Sequence, residues 1–594
     1  MWMRQPVEDF QNLVALFFAR AEEGGDRPFL WRKQGGAWTP TSWRDAAAQV
    51  ASLARGLQRI GLKPSDRVML VSENRPEWCI ADLAIMAAGC VTVPTYTTNT
   101  ERDHLHILEN SDARAVIVST DKLARTLLPA LMRSSTADLL IGIDPLRFGQ
   151  SGAVGFHQYA DLVAEPADVA ALAAEATAVR DDLACIIYTS GTGGSPRGVM
   201  QHHGAILHNV EGCRDVIRED FGEGDEVFLS FLPLSHAYEH SGGQFFPIGV
   251  GGQIYYAEGL EKLASNIEEV RPTIMVVVPR LFEVLRQRIA KAIEKQGGLA
   301  PKLMARAVAL GARELDTGLR LVDRPLDWLL DATVRRKVQA KFGGRIKAMV
   351  SGGAPLNPEV GAFFHGLGLT LLQGYGQTEA APVISCNRPK AGIKMDTVGP
   401  PLKNTVVRIA DDGEILVQGP LVTKGYWRNE AETARVLKDG WLHTGDIGHI
   451  DDAGRIVITD RKKDLIVNDK GENVAPQRIE GMLTLQPEIF QAMVSGDKRP
   501  HLVGLVVPDP EWAAEWATST GGQASGDNPA FRAAVSAAVD RVNRELSTTE
   551  KVRRVTLADG PFTIDNEMLT PSMKIRRHVI RAAYGERLEA LYRS

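Results

Sequence analysis

Apolar residues in this chain fall into two recurring patterns. Short runs at 67–71, 91–94, 115–118, 184–187, 274–278 and 346–350 have the length and β-branched content of buried strands. Between such runs lie longer stretches of helical character, 76–88 being one. Strand-like runs alternating with helices predict an α/β fold. The Ala- and Glu-rich stretch 164–178 predicts a surface helix, and 319–342 an additional helical stretch. Loops are expected at 295–301 and 518–529, the latter rich in Ser, Thr and Gly. Near the N-terminus, Val7, Phe10, Val14, Phe17 and Phe18 are interrupted by Glu8, Asp9 and Arg20. That pattern is a helix packed on the core, or one touching a lipid surface, and lacks the apolar core of a signal peptide.

With 594 residues, one large domain and at least one smaller one are expected. A composition 44% hydrophobic and 24% charged is that of a soluble globular protein. The net charge of −5 argues against a dedicated nucleic-acid binder. No run approaches the roughly 20 apolar residues of a membrane span. Five scattered cysteines without a CxxC pair read as reduced thiols, so a cytoplasmic protein is expected, with at most weak peripheral contact at the inner face of the membrane. Oligomeric state has no signature in the sequence.

Candidate chemistry begins at YTSGTGGSPRGV, residues 188–199. A buried strand runs into a loop of glycines and hydroxyls and then a cation. Backbone N–H groups freed by glycine converge on anions, and hydroxyls add donors or metal ligands. A triphosphate suits such a loop, although no Gly-Lys-Ser/Thr follows as in a Walker motif. By composition alone a surface turn fits as well. A second pattern, His236-Ala-Tyr-Glu-His240, matches an inverted zinc-protease string, but Pro233 before it and Gly242-Gly243 after it spoil the helix a zinc site needs.

The 188–199 segment resembles the phosphate loop of the acyl-adenylate-forming superfamily, which includes acyl-CoA synthetases, peptide-synthetase adenylation domains and luciferases. The likeness runs in order from about Trp43 to Arg577. It implies an α/β protein with a large N-terminal adenylating domain, 1–462, and a smaller mobile α+β C-terminal domain, 463–594. By this resemblance Thr189, Ser190, Gly191, Thr192, Gly193, Gly194 and Arg197 would cradle phosphates. Gly193 stands where Thr is common and Arg197 where Lys is common; Arg keeps the charge and adds a bidentate fork. SGGAP at 351–355 (Gly352, Gly353, Ala354, Pro355) and QGYGQTEA at 373–380 (Gln373, Gly374, Tyr375, Gly376, Thr378) match nucleotide-binding segments, with Tyr375 offering a face to adenine. Thr378 would touch the AMP phosphate, and Glu379 with Thr192 would hold Mg²⁺. WLHTGD at 441–446 places Asp446 on the ribose hydroxyls, Arg461 as a second ribose contact, and Lys463, inside the charge run 460–464, as the hinge. Gly471 and Glu472 would lie near the pantetheine of coenzyme A after rotation. LTPSMKIRR at 569–577 supplies the catalytic Lys574, and LPLSHAYE at 232–239 puts His236 beside the acyl carboxylate, unless it is a plain core histidine.

Together these imply activation of a carboxylic acid by ATP, with coenzyme A as acceptor. VPRLF at 278–282 and the 319–342 insert resemble long-chain fatty acyl-CoA synthetases of bacterial style. The alternatives are an acyl-AMP ligase serving a carrier protein, disfavoured by the compact 399–446 stretch, and a catalytically weak nucleotide- or lipid-binding relative.

Overall fold

Strand runs without polar alternation need cover on both faces, and the fold supplies it with layers. In the computed structural model, residues 5–147, 154–189, 196–462, 464–470, 472–570 and 574–593 are described. A seven-stranded sheet runs in the order Gly155–Gln158, Leu139–Gly142, Ala113–Val118, Arg67–Val71, Val91–Thr95, Leu183–Thr189, Arg197–His202. All neighbours are parallel except the last pair, a hairpin. An eight-stranded sheet has a parallel centre, including Val227–Ser230, Ile274–Val277, Ala348–Ser351 and Leu371–Gly376, and an antiparallel strand at each edge.

The main core lies between these sheets. Helices Leu13–Gly24, Trp43–Arg59 and Pro76–Ala87 share one apolar cluster with strand residues of both, Val68 and Ile187 from one and Leu30 and Ile254 from the other. Helix Pro76–Ala87 is buried along its whole length, which explains why its sequence shows no polar stripe. Separate clusters cover the outer faces, with helices Glu101–Ser111 and Asp121–Arg133 on the first sheet and Leu263–Val270, Pro279–Gln296 and Pro358–Gly366 on the second.

A five-stranded antiparallel sheet follows, built from 406 to 461, and then a smaller α+β unit with a three-stranded sheet, Ile489–Ser495, Leu502–Pro508 and Val552–Leu557. That unit has its own core, centred on Ile479, Leu502, Val506 and Phe531.

Some expectations shift. The strand expected at 455–459 runs on as Ile456–Arg461, so part of the charge run is strand. The expected helix at 164–178 shrinks to Val169–Glu175: Pro166 disfavours helical backbone before it, and Asp168 caps Ala171 N–H at 3.1 Å. The loop expected at 295–301 is tighter, because helix resumes at Ala300. The N-terminal helix settles on the core reading, with Leu13, Val14, Leu16, Phe17 and Phe18 buried. No helix among the described residues is long and apolar enough to cross a membrane.

Candidate functional site

Parallel strands end at one rim, and loops leaving that rim line a cavity of about 2030 Å³. Thr189 closes strand Leu183–Thr189 and pairs with Arg197 across the hairpin. The connecting residues Ser190, Gly191, Thr192, Gly193 and Gly194 lie outside the described residues, as do Lys463 and Gly471. Strand Ala348–Ser351 delivers Gly352, Gly353, Ala354 and Pro355 to the cavity, and strand Leu371–Gly376 delivers Gln373, Gly374, Tyr375 and Gly376, followed by Thr378 and Glu379. At 352 only glycine fits, since a Cβ would fall 2.7 Å from the Tyr238 ring. Gly353 has φ +82°, a conformation that favours glycine.

Asp446 is buried, with one protein partner on each carboxylate oxygen. Tyr375 Oη donates to its Oδ2 at 2.7 Å, and Arg461 Nε meets its Oδ1 at 3.1 Å. The antiparallel register of Trp441–Ile450 with Ile456–Arg461 puts Asp446 directly opposite Arg461. Glu379 Oε1 accepts from Tyr426 Oη at 2.7 Å. Arg197 is paired with Glu432 and lies 4.9 Å over the Tyr426 ring, while its buried Nε has no hydrogen-bond partner among the described residues. Tyr426 and Glu432 were not foreseen; the aromatic Tyr426 beside Gly425, and the acids of helix Glu430–Val436, were the only signals available.

Lys574 reaches the same cavity from the C-terminal unit, and Thr570 N–H donates to its carbonyl oxygen at 2.8 Å. Desolvation and the Arg461 guanidinium push its pKa down to about 8, against the pull of Asp446, Glu379 and Asp464. His236 also lines the cavity, its pKa pushed down to about 4 by desolvation and by Lys574. Its Nδ1 accepts from Tyr238 N–H at 3.1 Å, which leaves the neutral ring's proton on Nε2. His240 parts from it: its Nε2 is bound to buried Asp82 at 2.9 Å. Among the described residues no cluster of three or more His, Cys, Asp and Glu could hold a metal by itself. Glu472 does not line the cavity; it is tied to Asn468, whose Nδ2 donates to Glu472 Oε2 at 2.8 Å.

At its other end the cavity is apolar, walled by Val216, Ile217, Phe246, Ile274, Val276 and Leu372, with half-buried Cys213 among them.

A family model described as "AMP-binding enzyme" matches residues 17–427, and a second, "AMP-binding enzyme C-terminal domain", matches 463–594. The chain belongs to the AMP-binding enzyme family. It is 34% identical to a long-chain-fatty-acid–CoA ligase of Mycobacterium tuberculosis, with 99% of this chain and 98% of that protein covered. A peroxisomal long chain acyl-CoA synthetase of Arabidopsis thaliana is 32% identical, over 94% of this chain and 82% of the relative. The A domain of carboxylic acid reductase from Segniliparus rugosus, solved with AMP and a co-purified carboxylic acid, superposes with TM-score 0.77 at 22% identity, covering 98% of this chain and 94% of that one. This last likeness shows the fold of an adenylating enzyme, a large AMP-binding domain followed by a smaller C-terminal one.

Proposed function

We propose that this AMP-binding enzyme activates a long-chain fatty acid with ATP and passes the acyl group to coenzyme A, yielding fatty acyl-CoA, AMP and pyrophosphate. The near-full-length likeness to long-chain-fatty-acid–CoA ligases carries the reading. A cavity polar at one end and apolar at the other supports it. The cytoplasm, with substrate drawn from the inner face of the membrane, is the matching location.

A carboxylate is a poor acyl donor because its leaving group would be oxide. In the first half-reaction a carboxylate oxygen bonds to the α-phosphorus of ATP as the bond to pyrophosphate breaks. Gly352–Pro355 and Gln373–Gly376 border the adenine, with Tyr375 as its aromatic face. Asp446 accepts from both ribose hydroxyls: each carboxylate oxygen already takes one bond and retains a second lone pair. Arg461 holds that carboxylate in place and borders the ribose. Thr189, the 190–194 loop and Arg197 grip the outer phosphates, and Thr378 the α-phosphate. For Mg²⁺ the donors fit, since Glu379 Oε1 is fixed by Tyr426 while Oε2 takes no hydrogen bond among the described residues, and such an ion binds through one or two carboxylates plus phosphates. Glu379 and Thr192 would hold it, and when bound it would neutralise phosphate charge.

Two anions must meet at the α-phosphate, and Lys574, as an ammonium, cancels charge there as it redistributes. His236, neutral, offers a hydrogen bond from Nε2 to the carboxylate without adding charge. In the second half-reaction the 463–594 domain turns about Lys463, withdraws Lys574 and brings Gly471 and Glu472 beside pantetheine. The thiol sulfur then bonds to the acyl carbon, the bond to AMP breaks, and the thiol proton leaves to solvent.

Incubation of the purified protein with ATP, Mg²⁺, palmitate and coenzyme A tests this, with products identified by mass spectrometry. Palmitoyl-CoA, AMP and pyrophosphate in equal amounts are expected. Formation of ADP would overturn the reading, and palmitoyl-AMP accumulating beside unused coenzyme A would favour a carrier-protein acceptor.

A further inference from the structure

The VPRLF stretch at 278–282 holds one side chain that the reaction above leaves unused. Val278 precedes helix Pro279–Gln296, Pro279 opens it, and Phe282 is buried in the core. Arg280 has no such local task. It stands in the first turn, where a cation opposes the helix dipole, so the helix's own stability does not ask for it. Its guanidinium instead meets the C-terminal unit. It lies 5.0 Å over the Phe490 ring, and its Nη2 donates to Phe490 O at 3.4 Å while Glu283 Oε2 holds its Nη1 at 2.9 Å. Phe490 belongs to strand Ile489–Ser495 of that unit.

Further along the same helix, Lys291 Nζ meets Glu511 Oε2 at 3.3 Å and Glu515 Oε1 at 3.0 Å. These acids lie four residues apart on helix Pro510–Thr520 of the C-terminal unit, so one ammonium spans both. The two helices are complementary in charge: 279–296 holds five Lys and Arg against two Glu, whereas 510–520 holds two Glu and no cation. Leu485 of the same unit packs on the apolar cluster that Leu281, Leu285 and Ile289 help to cover. All these contacts coexist with Lys574 standing in the cavity.

Each polar contact is weak, since an exposed cation–π or ion pair shifts an equilibrium only a few-fold. Weak contacts suit an enzyme that visits two poses in every cycle, because a strong hold on one would leave the other scarcely populated. On the proposed reaction, the pose with Lys574 in the cavity serves adenylation and is left for acyl transfer.

We infer that Arg280 and Lys291 are positioning residues for the adenylation half-reaction: through Phe490, Glu511 and Glu515 they dock the C-terminal unit on helix Pro279–Gln296 and so keep Lys574 at the α-phosphate. The inference rests on the proposed reaction and adds to it the contacts that set the balance between its two halves.

Separate assays of the two half-reactions, on the full-length protein, test it. Arg280 and Lys291 are about 16 Å apart along the helix, so their effects should multiply. Arg280→Ala and Lys291→Glu should each lower ATP–pyrophosphate exchange with palmitate about two- to threefold, and together about fivefold. Thioester formation from supplied palmitoyl-adenylate and coenzyme A should stay level or rise. Adding Glu511→Lys/Glu515→Lys to Lys291→Glu should restore exchange. Equal loss in both half-reactions, or no rescue by the reversed charges, would overturn the inference. A second readout needs no turnover. In the protein without substrates, a water-soluble carbodiimide should join Lys291 to Glu511 or Glu515 in material that runs as a single chain on a denaturing gel, as mass spectrometry of its peptides would show. Absence of that cross-link in the wild type would overturn the inference as well. Wild-type protein without exchange on any acid would sink the proposed reaction instead, and the cross-link alone would then decide whether the helices dock.

Discussion

The two ends of the cavity are built in opposite ways. The polar end draws on segments far apart in the chain, with Thr189, Arg197, Glu379, Asp446, Arg461 and Lys574 meeting only after folding. The apolar end is the inner surface of regular elements, helix His203–Asp220 and strands Ile274–Val277, Ala348–Ser351 and Leu371–Gly376. On the proposed reaction, chemistry would be held by charges that fix one another, and acid selection would be left to the shape of packed side chains. Changes at the polar end should therefore strike rate or ATP use for every acid alike, whereas changes at the apolar end should sort acids by length.

The largest effect should come from Lys574→Ala. Loss of one contact made in the transition state costs about 10² to 10³ in rate, so adenylate formation should collapse while thioester formation from supplied acyl-adenylate persists, as single-turnover assays of each half would show. Equal loss in both halves would contradict the role.

At the ribose position, Asp446→Ala leaves Tyr375 and Arg461 without their acceptor. Hydrogen bonds to a charged group contribute about 1.5–3 kcal/mol each, so losing both ribose bonds should lower kcat/KM for ATP by about a hundredfold or more, to the same extent with every acid. An acid-dependent fall would blur the division between the ends.

Cys213→Trp is the counterpart at the apolar end. It fills the channel without opening a cavity, and should depress activity on palmitate about tenfold or more relative to octanoate, with KM for ATP unchanged. A uniform loss on both acids would show that Cys213 does not face the acyl chain.

The pH profile sharpens the polar side. Lys574 must be protonated to act, and its pKa is lowered to about 8. Wild-type kcat/KM for adenylation should then be level through neutral pH and fall about tenfold per unit above that pKa; a profile level to pH 10 would place the ammonium elsewhere.

The smallest effect concerns Arg197, held by Glu432. Glu432→Gln frees its guanidinium for phosphate and should lower KM for ATP by a few-fold, a size ordinary for a partly exposed pair. Combined with Arg197→Ala the benefit should vanish; additivity in that double-mutant cycle would mean that Glu432 acts on something else.

The same contrast governs what could be read before the fold was known. Segments such as 188–199 and 373–380 stand out because glycine, hydroxyl and charge cluster there against the composition of a core. Channel walls do not stand out, since Val216, Ile217 and Ile274 look alike whether they face a neighbour or an acyl chain. Buried strands were legible for a related reason: Arg67–Val71 is apolar because both its faces are covered. The helix expected at 164–178 is shorter in the fold because Pro166 and the Asp168 cap set its start more strongly than the Ala content of the stretch. The partners of Arg197 and Glu379 could not be read at all, since Glu432 and Tyr426 are joined to them only by tertiary packing.

The central claim, that one cavity joins ATP chemistry to a long acyl chain, is tested most directly by ATP–pyrophosphate exchange across acids of graded length, without coenzyme A. The account predicts exchange that is absent without acid, weak with acetate and benzoate, and strong with palmitate and oleate. Exchange that is strongest with acetate or benzoate, or that appears only when coenzyme A is added, would contradict it.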